Sequence, residues 1–240
     1  MNTWKTKNGV EIVQVLNGRS NAYLIVSENE CVLVDTGKES AFRRLQENNE
    51  ALKLPKENID LLILTHTHFD HCQNAFALRK QFNCEIVMSE NEAEYAEQGF
   101  TPLPKGTFPI TRFISKLGNR IGKSRFGYQP FVPDRLVSCE LNLEAFRIIL
   151  IPTPGHSKGS ISVIVDNEIA LVGDTLFGVF RKSVFPPFAD DVNGMIASWG
   201  RLLETNCATF LPGHGKEIKQ ELLLGEYKKH ARNCGDCNGR

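Results

Sequence analysis

The segment Thr65-His66-Thr67-His68-Phe69-Asp70-His71 puts three imidazoles and a carboxylate within the six positions 66–71. Nitrogen and oxygen donors at that density suit an ion of the zinc class. In an extended segment, residues two apart share a side, so His66 and His68 form one chelating pair while Asp70 and His71 turn toward a second centre. Two ions need further ligands, and the later chain offers three. His156 stands in Thr153-Pro154-Gly155-His156-Ser157, Asp174 in Gly173-Asp174-Thr175 and His214 in Pro212-Gly213-His214-Gly215. Each follows a β-rich run and lies beside a glycine, which lets backbone approach closely. A lone histidine or Gly-Asp turn is more often structural, but the dense HxHxDH cluster changes that balance for the whole set. The sixth histidine, His230, fits none of these positions and is expected at the surface.

The elements that deliver these residues are legible in outline. Glu11–Leu16, Ala22–Val26 and Cys31–Val34 read as short strands separated by turn signals. Asp60–Leu64 is an almost continuous apolar run ending at the histidine cluster, as a buried strand would be. Further strands are expected at Glu85–Met88, Arg147–Ile151, Ile161–Val165, Ile169–Val172 and Thr209–Leu211. Helices are expected at Ser40–Asn48, Asn74–Phe82, Glu90–Gln98, Asn193–Glu204 and Lys219–Ala231. This order suits two sheets face to face with helices outside. Residues 99–133 break the pattern with prolines and turn glycines and read as an insertion into a single 240-residue domain.

Apolar residues make up 41% and charged residues 23%, which fits a soluble globular chain. A formal net charge of zero argues against bulk attraction to nucleic acid. No stretch approaches the ~20 apolar residues of a membrane span, and the polar first ten residues do not read as a signal peptide. Seven scattered cysteines fit reduced thiols and a cytoplasmic location. Cys72, beside His71, is expected to pack rather than react, and the Cys234/Cys237 pair to lie in a frayed tail.

On the HxHxDH motif and the ordered His156, Gly173-Asp174 and Gly213-His214 elements, the chain resembles the metallo-β-lactamase superfamily from Asn21 to about Lys216. The resemblance implies an α+β fold, an αββα sandwich of two mixed β-sheets flanked by helices, with the site at one edge. It implies His66, His68 and His156 on a first ion, Asp70, His71 and His214 on a second, and Asp174 bridging. Asp35, in the early Asp-Thr-Gly turn, would support the site from below. The cofactors implied are two divalent ions, Zn2+ first, with Fe or Mn as alternatives. The reaction implied is hydrolysis by a metal-bridging hydroxide, with Asp70 as the candidate proton shuttle.

Departures from related patterns narrow the substrate. Zinc β-lactamases lack an aspartate where Asp174 stands, and the 26 residues after His214 leave no room for the helical domain of glyoxalase II. A small ester, lactone or thioester remains. The alternatives are a mononuclear iron sulfur dioxygenase acting on a persulfide, or a phosphodiesterase of the same fold. The dioxygenases resembled carry Gly-Arg-Thr-Asp-Phe soon after the Gly-Asp ligand, whereas Leu176-Phe177-Gly178-Val179-Phe180-Arg181 follows here.

The insertion says most about the substrate. Residues 99–133 contain Lys105, Arg112, Lys116, Arg120, Lys123 and Arg125 and no acidic residue. Ile110, Phe113, Ile114, Leu117 and Ile121 recur at helical spacing beside the basic stripe. A lid is expected, with Arg112 and Lys116 as substrate-binding residues for an anionic or amphiphilic small molecule. A basic amphipathic helix could instead rest on a lipid surface.

Overall fold

The computed structural model describes residues 1–27, 30–52 and 59–235. Among them, one sheet holds strands in chain order, β1 (Thr3–Lys5), β2 (Glu11–Leu16), β3 (Ala22–Val26), β4 (Cys31–Val34), β5 (Leu61–Ile63), β6 (Glu85–Ser89) and β7 (Arg135–Val137). Its first four strands are antiparallel and β4 to β7 run parallel. The second sheet has the order β13-β12-β11-β10-β9-β8. Its strands are β8 (Leu141–Leu143), β9 (Ile148–Pro152), β10 (Ile161–Val165), β11 (Ile169–Gly173), β12 (Thr209–Pro212) and β13 (Ile218–Lys219). Only its β11–β12 pair is parallel.

Alternation along the strands builds three apolar layers. Leu61 and Ile63 of β5 face the second sheet with Ile25, Val34, Leu150, Val163 and Leu171. Leu62 and Leu64 face the other way, onto Leu45 of α1 (Phe42–Ala51) and beside the four-residue α2 (Phe69–Cys72) and α3 (Ala75–Phe82). Burial on both faces is why this strand reads as an unbroken apolar run. On the far side, Trp199, Met195 and Leu202 of α7 (Val192–Glu204) cover Phe210 and Val172, joined by Leu223 of α8 (Gln220–Gly235). The layers are therefore helix, sheet, sheet, helix, as expected.

The remaining helices are α4 (Ala93–Gln98), α5 (Pro109–Ile121) and α6 (Lys123–Phe126). Several expectations shift. The first helix begins at Phe42 rather than Ser40, and a 3-10 turn, Glu90–Glu92, precedes α4. The expected strand at Arg147 begins at Ile148, because Arg147 takes φ 57° and turns the chain. His230 is half-buried rather than at the surface, its ring 4.9 Å from that of Phe185. Cys72 is fully buried, its thiol donates to the Thr67 carbonyl, and burial pushes its pKa well up, so it packs. Cys237 lies outside the described residues. No helix among the described residues is long and apolar enough to cross a membrane.

Candidate metal centre

The C-terminal ends of β5, β9, β11 and β12 converge on one edge of the sandwich, where each releases its chain into a loop. β5 delivers the histidine cluster. The Thr65 carbonyl accepts from Ile161 N at 2.9 Å, pinning this segment to β10 of the second sheet, and His68 caps α2 in extended conformation. The other three strand ends deliver His156, Asp174 and His214.

The donor atoms of His66, His68 and His156 lie within 4.8 Å of one another, as do those of His66, His71 and Asp174, and those of Asp70, His71 and His214. His156 Nε2 faces His68 Nδ1 at 3.0 Å, and His71 Nε2 faces His214 Nε2 at 3.4 Å. Asp174 spans the two sets, with Oδ1 3.4 Å from His71 Nε2, and Oδ2 3.2 Å from His214 Nε2 and 3.6 Å from His156 Nε2. Asp70 Oδ2 stands 3.8 Å from His214 Nε2. All seven expected ligand residues are thus brought together.

The far side of each ring decides which nitrogen is free. His71 Nδ1 meets Asp35 Oδ2 at 2.8 Å and His156 Nδ1 meets the Phe188 carbonyl at 2.9 Å. A carboxylate and a carbonyl only accept, so each of these Nδ1 atoms carries a proton and Nε2 is the nitrogen turned toward the other donors. The Thr65 hydroxyl donates to Asp35 Oδ2 at 2.8 Å and so accepts from His66 Nδ1 at 3.0 Å. The Pro102 backbone holds His68. Asp35 receives Thr65 N as well, and adopts φ 59° to bury its carboxylate between Thr65 and His71. Asp is among the few non-glycine residues that adopt this conformation readily. The support expected of Asp35 is therefore made of three named hydrogen bonds.

Two buried atoms in this set, His66 Nε2 and Asp174 Oδ1, have no hydrogen-bond partner among the described residues. A buried polar atom without a partner is costly, and cations satisfy both atoms at once. Burial pushes His68 and His156 down to about 4, and His66 well below its usual value, so these imidazoles are neutral, the form that ligates. His71 and Asp174 go opposite ways. Burial alone would lower His71 and raise Asp174, but the pair, together with Asp35 and His214, carries His71 well above and Asp174 well below the ordinary range. Five imidazoles and two carboxylates in overlapping triads fit a binuclear metal centre. Gly213 is required there, since a Cβ at this position would lie 2.5 Å from Asp174 Oδ1 and 2.6 Å from His71 Cε1.

Two loops are clamped by a residue that the sequence did not single out. Glu92 is buried and accepts from Thr67 N at 2.5 Å, from Thr67 Oγ1 at 2.6 Å and from Ser157 Oγ. One carboxylate thus ties the residue between His66 and His68 to the residue after His156. Glu90, Glu92, Glu94 and Glu97 are indistinguishable as a sequence pattern, and only packing selects one.

The centre opens into a cavity of about 310 Å³. Its walls are apolar, with Phe69, Leu103, Ile114, Phe126, Phe177 and Phe188 prominent. Among the described residues, the one Lys or Arg lining it is Arg19, which lies over the Phe69 ring and 3.7 Å from Asp70 Oδ2. Arg112 and Lys116 are not there. They border a separate depression with Lys105, Asp190 and Val192, so the basic stripe does not face the cavity, and Ile114 from the adjacent apolar stripe does.

The comparisons agree with this geometry. Residues 16–214 match the family model described as Metallo-beta-lactamase superfamily. A Methanocaldococcus jannaschii protein described as a probable metallo-hydrolase is 30% identical over 207 residues, 84% of this chain and 91% of its own. The Haemophilus influenzae hydroxyacylglutathione hydrolase GloC is 31% identical over 186 residues, 74% of this chain and 76% of its own. Among solved structures, the metallo-beta-lactamase of Cronobacter sakazakii with a HARLDQ motif superposes with TM-score 0.68 at 16% identity, covering 100% of this chain and 96% of its own. TTHA1623, solved in a di-iron-bound form, gives 0.65 at 24% identity, covering 88% and 96%. The chain belongs to the metallo-beta-lactamase superfamily and is, by homology, a metal-dependent hydrolase.

Proposed function

We propose that this protein hydrolyses a small ester, lactone or thioester with two zinc ions. The reading rests above all on the seven donors in overlapping triads, with His66 Nε2 and Asp174 Oδ1 buried without a hydrogen bond among the described residues, and with His68, Asp70, His156, Asp174 and His214 lining a largely apolar cavity. His66, His68 and His156 would hold one ion, Asp70, His71 and His214 the other, and Asp174 both. Such ions, when bound, acidify water to near neutrality and polarise the bond under attack. The imidazole-rich donor set favours zinc over the harder ions.

The chain's own residues supply the rest. The phenylalanine walls exclude water from the acyl group and hold it over the donors. Arg19 at the mouth offers a charge to an acidic end of the substrate, taking the role that the sequence suggested for Arg112 and Lys116. Asp70, which lines the cavity beside Arg19, would receive a proton and pass it to the leaving group. The relative named for hydrolysis of a hydroxyacylglutathione supports an acyl substrate.

The test is metal analysis of the purified protein followed by a panel of ester, lactone, thioester and phosphodiester substrates. About two zinc ions per chain and turnover of an acyl substrate are expected. A single iron with oxygen uptake on a thiol persulfide, or turnover of phosphodiesters alone, would overturn the proposal.

A further inference from the structure

Helix α5 is seated with its apolar side outward. At the α-helical advance of 3.6 residues per turn, Ile110, Phe113, Ile114, Leu117 and Ile121 fall on one arc of about 100°. In a helix docked on its own core that arc would be buried. Here Ile110 is 70% and Phe113 67% exposed, and the other three are each nearly half exposed. The buried face is instead Thr111, Ser115 and Gly118. Leu103 anchors it, its N–H donating to Asn119 Oδ1 at 2.7 Å and its carbonyl accepting from Asn119 Nδ2 at 2.9 Å. Gly118 completes the seat, because a Cβ there would lie 2.4 Å from Leu103 Cδ1. The face that α5 turns inward is thus made of small and polar residues, and the apolar arc is left outside the contact.

Charge indicates what covers the arc. Arg112, Lys116 and Arg120 lie exposed along its flank, Lys123 and Arg125 follow in α6, and no acidic residue occurs in 99–133. A second copy seated on this face would bring the same basic flank and no acidic residue of 99–133 to pair with it. An anionic lipid surface complements both the charge and the apolar arc. The patch also continues into the catalytic cavity. Ile114 belongs to both, and across the same cavity Phe177 leads to exposed Val179 and Phe180 followed by exposed Arg181 and Lys182.

We infer that α5 and the 179–182 loop dock the mouth of the catalytic cavity onto an anionic lipid surface, from which an amphiphilic acyl substrate enters between Ile114 and Phe177. The identity of the substrate rests on the hydrolase reading above, whereas the docking does not. The docking is therefore read without substrate, by co-sedimentation of the whole protein with sucrose-loaded vesicles of phosphatidylcholine alone or with one third phosphatidylglycerol. A basic residue brought to such a surface strengthens binding about fivefold. Arg112→Gln, Lys116→Gln and Arg120→Gln combined should weaken partition onto the anionic vesicles roughly a hundredfold. The wild type should bind neutral vesicles far less, and release from anionic ones at high salt. Ile110→Ser, Phe113→Ser and Leu117→Ser, all at exposed positions, should abolish binding while leaving the circular dichroism spectrum unchanged. Absence of wild-type partition onto anionic vesicles would overturn the inference. So would a dimer, seen by analytical ultracentrifugation, that the serine variant dissolves.

Discussion

The metal centre and helix α5 invert the ordinary relation between polarity and burial, and they do so in opposite directions. At the centre, His66, His68, His71, His156 and Asp174 are buried, and His71, His156 and His66 are held from behind by Asp35, the Phe188 carbonyl and the Thr65 hydroxyl. In α5, five large apolar side chains stand in the open while threonine, serine and glycine face inward. Full burial of such a side chain is worth about 1.5–3 kcal/mol, of which Ile110 and Phe113 forgo the larger part and the other three about half. The two regions meet at Ile114, on the wall of one cavity. Departures of this kind from local rules concentrate where a protein acts on something outside itself, and here the two mark the reacting end and the approach to it.

That contrast can be broken at graded cost. The largest effect is expected at Asp174, which spans both ligand sets. Asp174→Asn should cut turnover by about a thousandfold, since the metals supply several kcal/mol, while thermal unfolding of the metal-loaded protein stays cooperative. Unchanged turnover would remove Asp174 from the chemistry. Chelation followed by zinc addition should abolish and then restore the activity in the same assay.

Asp35→Asn comes next. Asparagine tolerates the left-handed backbone, so the loop is kept while the acceptor for His71 Nδ1 and Thr65 is weakened. A ten- to hundredfold loss of metal affinity, by competition with a chromophoric chelator, is the expected range for such a supporting residue. Equal affinity would show that Thr65 and the strand ends suffice.

Glu92→Gln tests the clamp between the Thr67 and Ser157 loops. One accepting oxygen is lost among buried donors, so stability should fall by roughly 1–3 kcal/mol in urea unfolding, with metal affinity less affected than in Asp35→Asn. The smallest effect belongs to α5. Ile110→Ser or Leu117→Ser should change unfolding free energy by no more than about 0.5 kcal/mol, whereas Leu33→Ala in the core should cost about 2–5 kcal/mol. A core-sized loss at Ile110 would mean that its exposure has been misjudged.

Central strands, even the three-residue β5, and the ligand residues were legible because their signals are local. Leu61–Leu64 is apolar on both faces whatever surrounds it, and histidines at spacings of two and three on a loop are chemically distinctive. The strands β1, β7, β8 and β13 have two or three residues, too few to show a period, and exist through their neighbours. The helical arc of α5 was equally plain, but periodicity tells only that an apolar side exists. Which way it points depends on Leu103 and Gly118, residues on different elements. The same holds for Arg112 and Lys116, whose side of the helix could not be related to the cavity before α5 was seated.

From sequence alone came the identity of the donors, the order of layers, and the amphipathic character of the insertion, all of which are properties of residue type and spacing along the chain. The tertiary structure decided which donors stand within reach of one another, that Arg19 rather than Arg112 reaches the cavity, that Glu92 among its neighbouring glutamates binds two loops, and that α5 faces outward. Those are relations between segments as far apart as Arg19 and His214, and they are set by strand register and side-chain packing, which no single stretch of the chain contains.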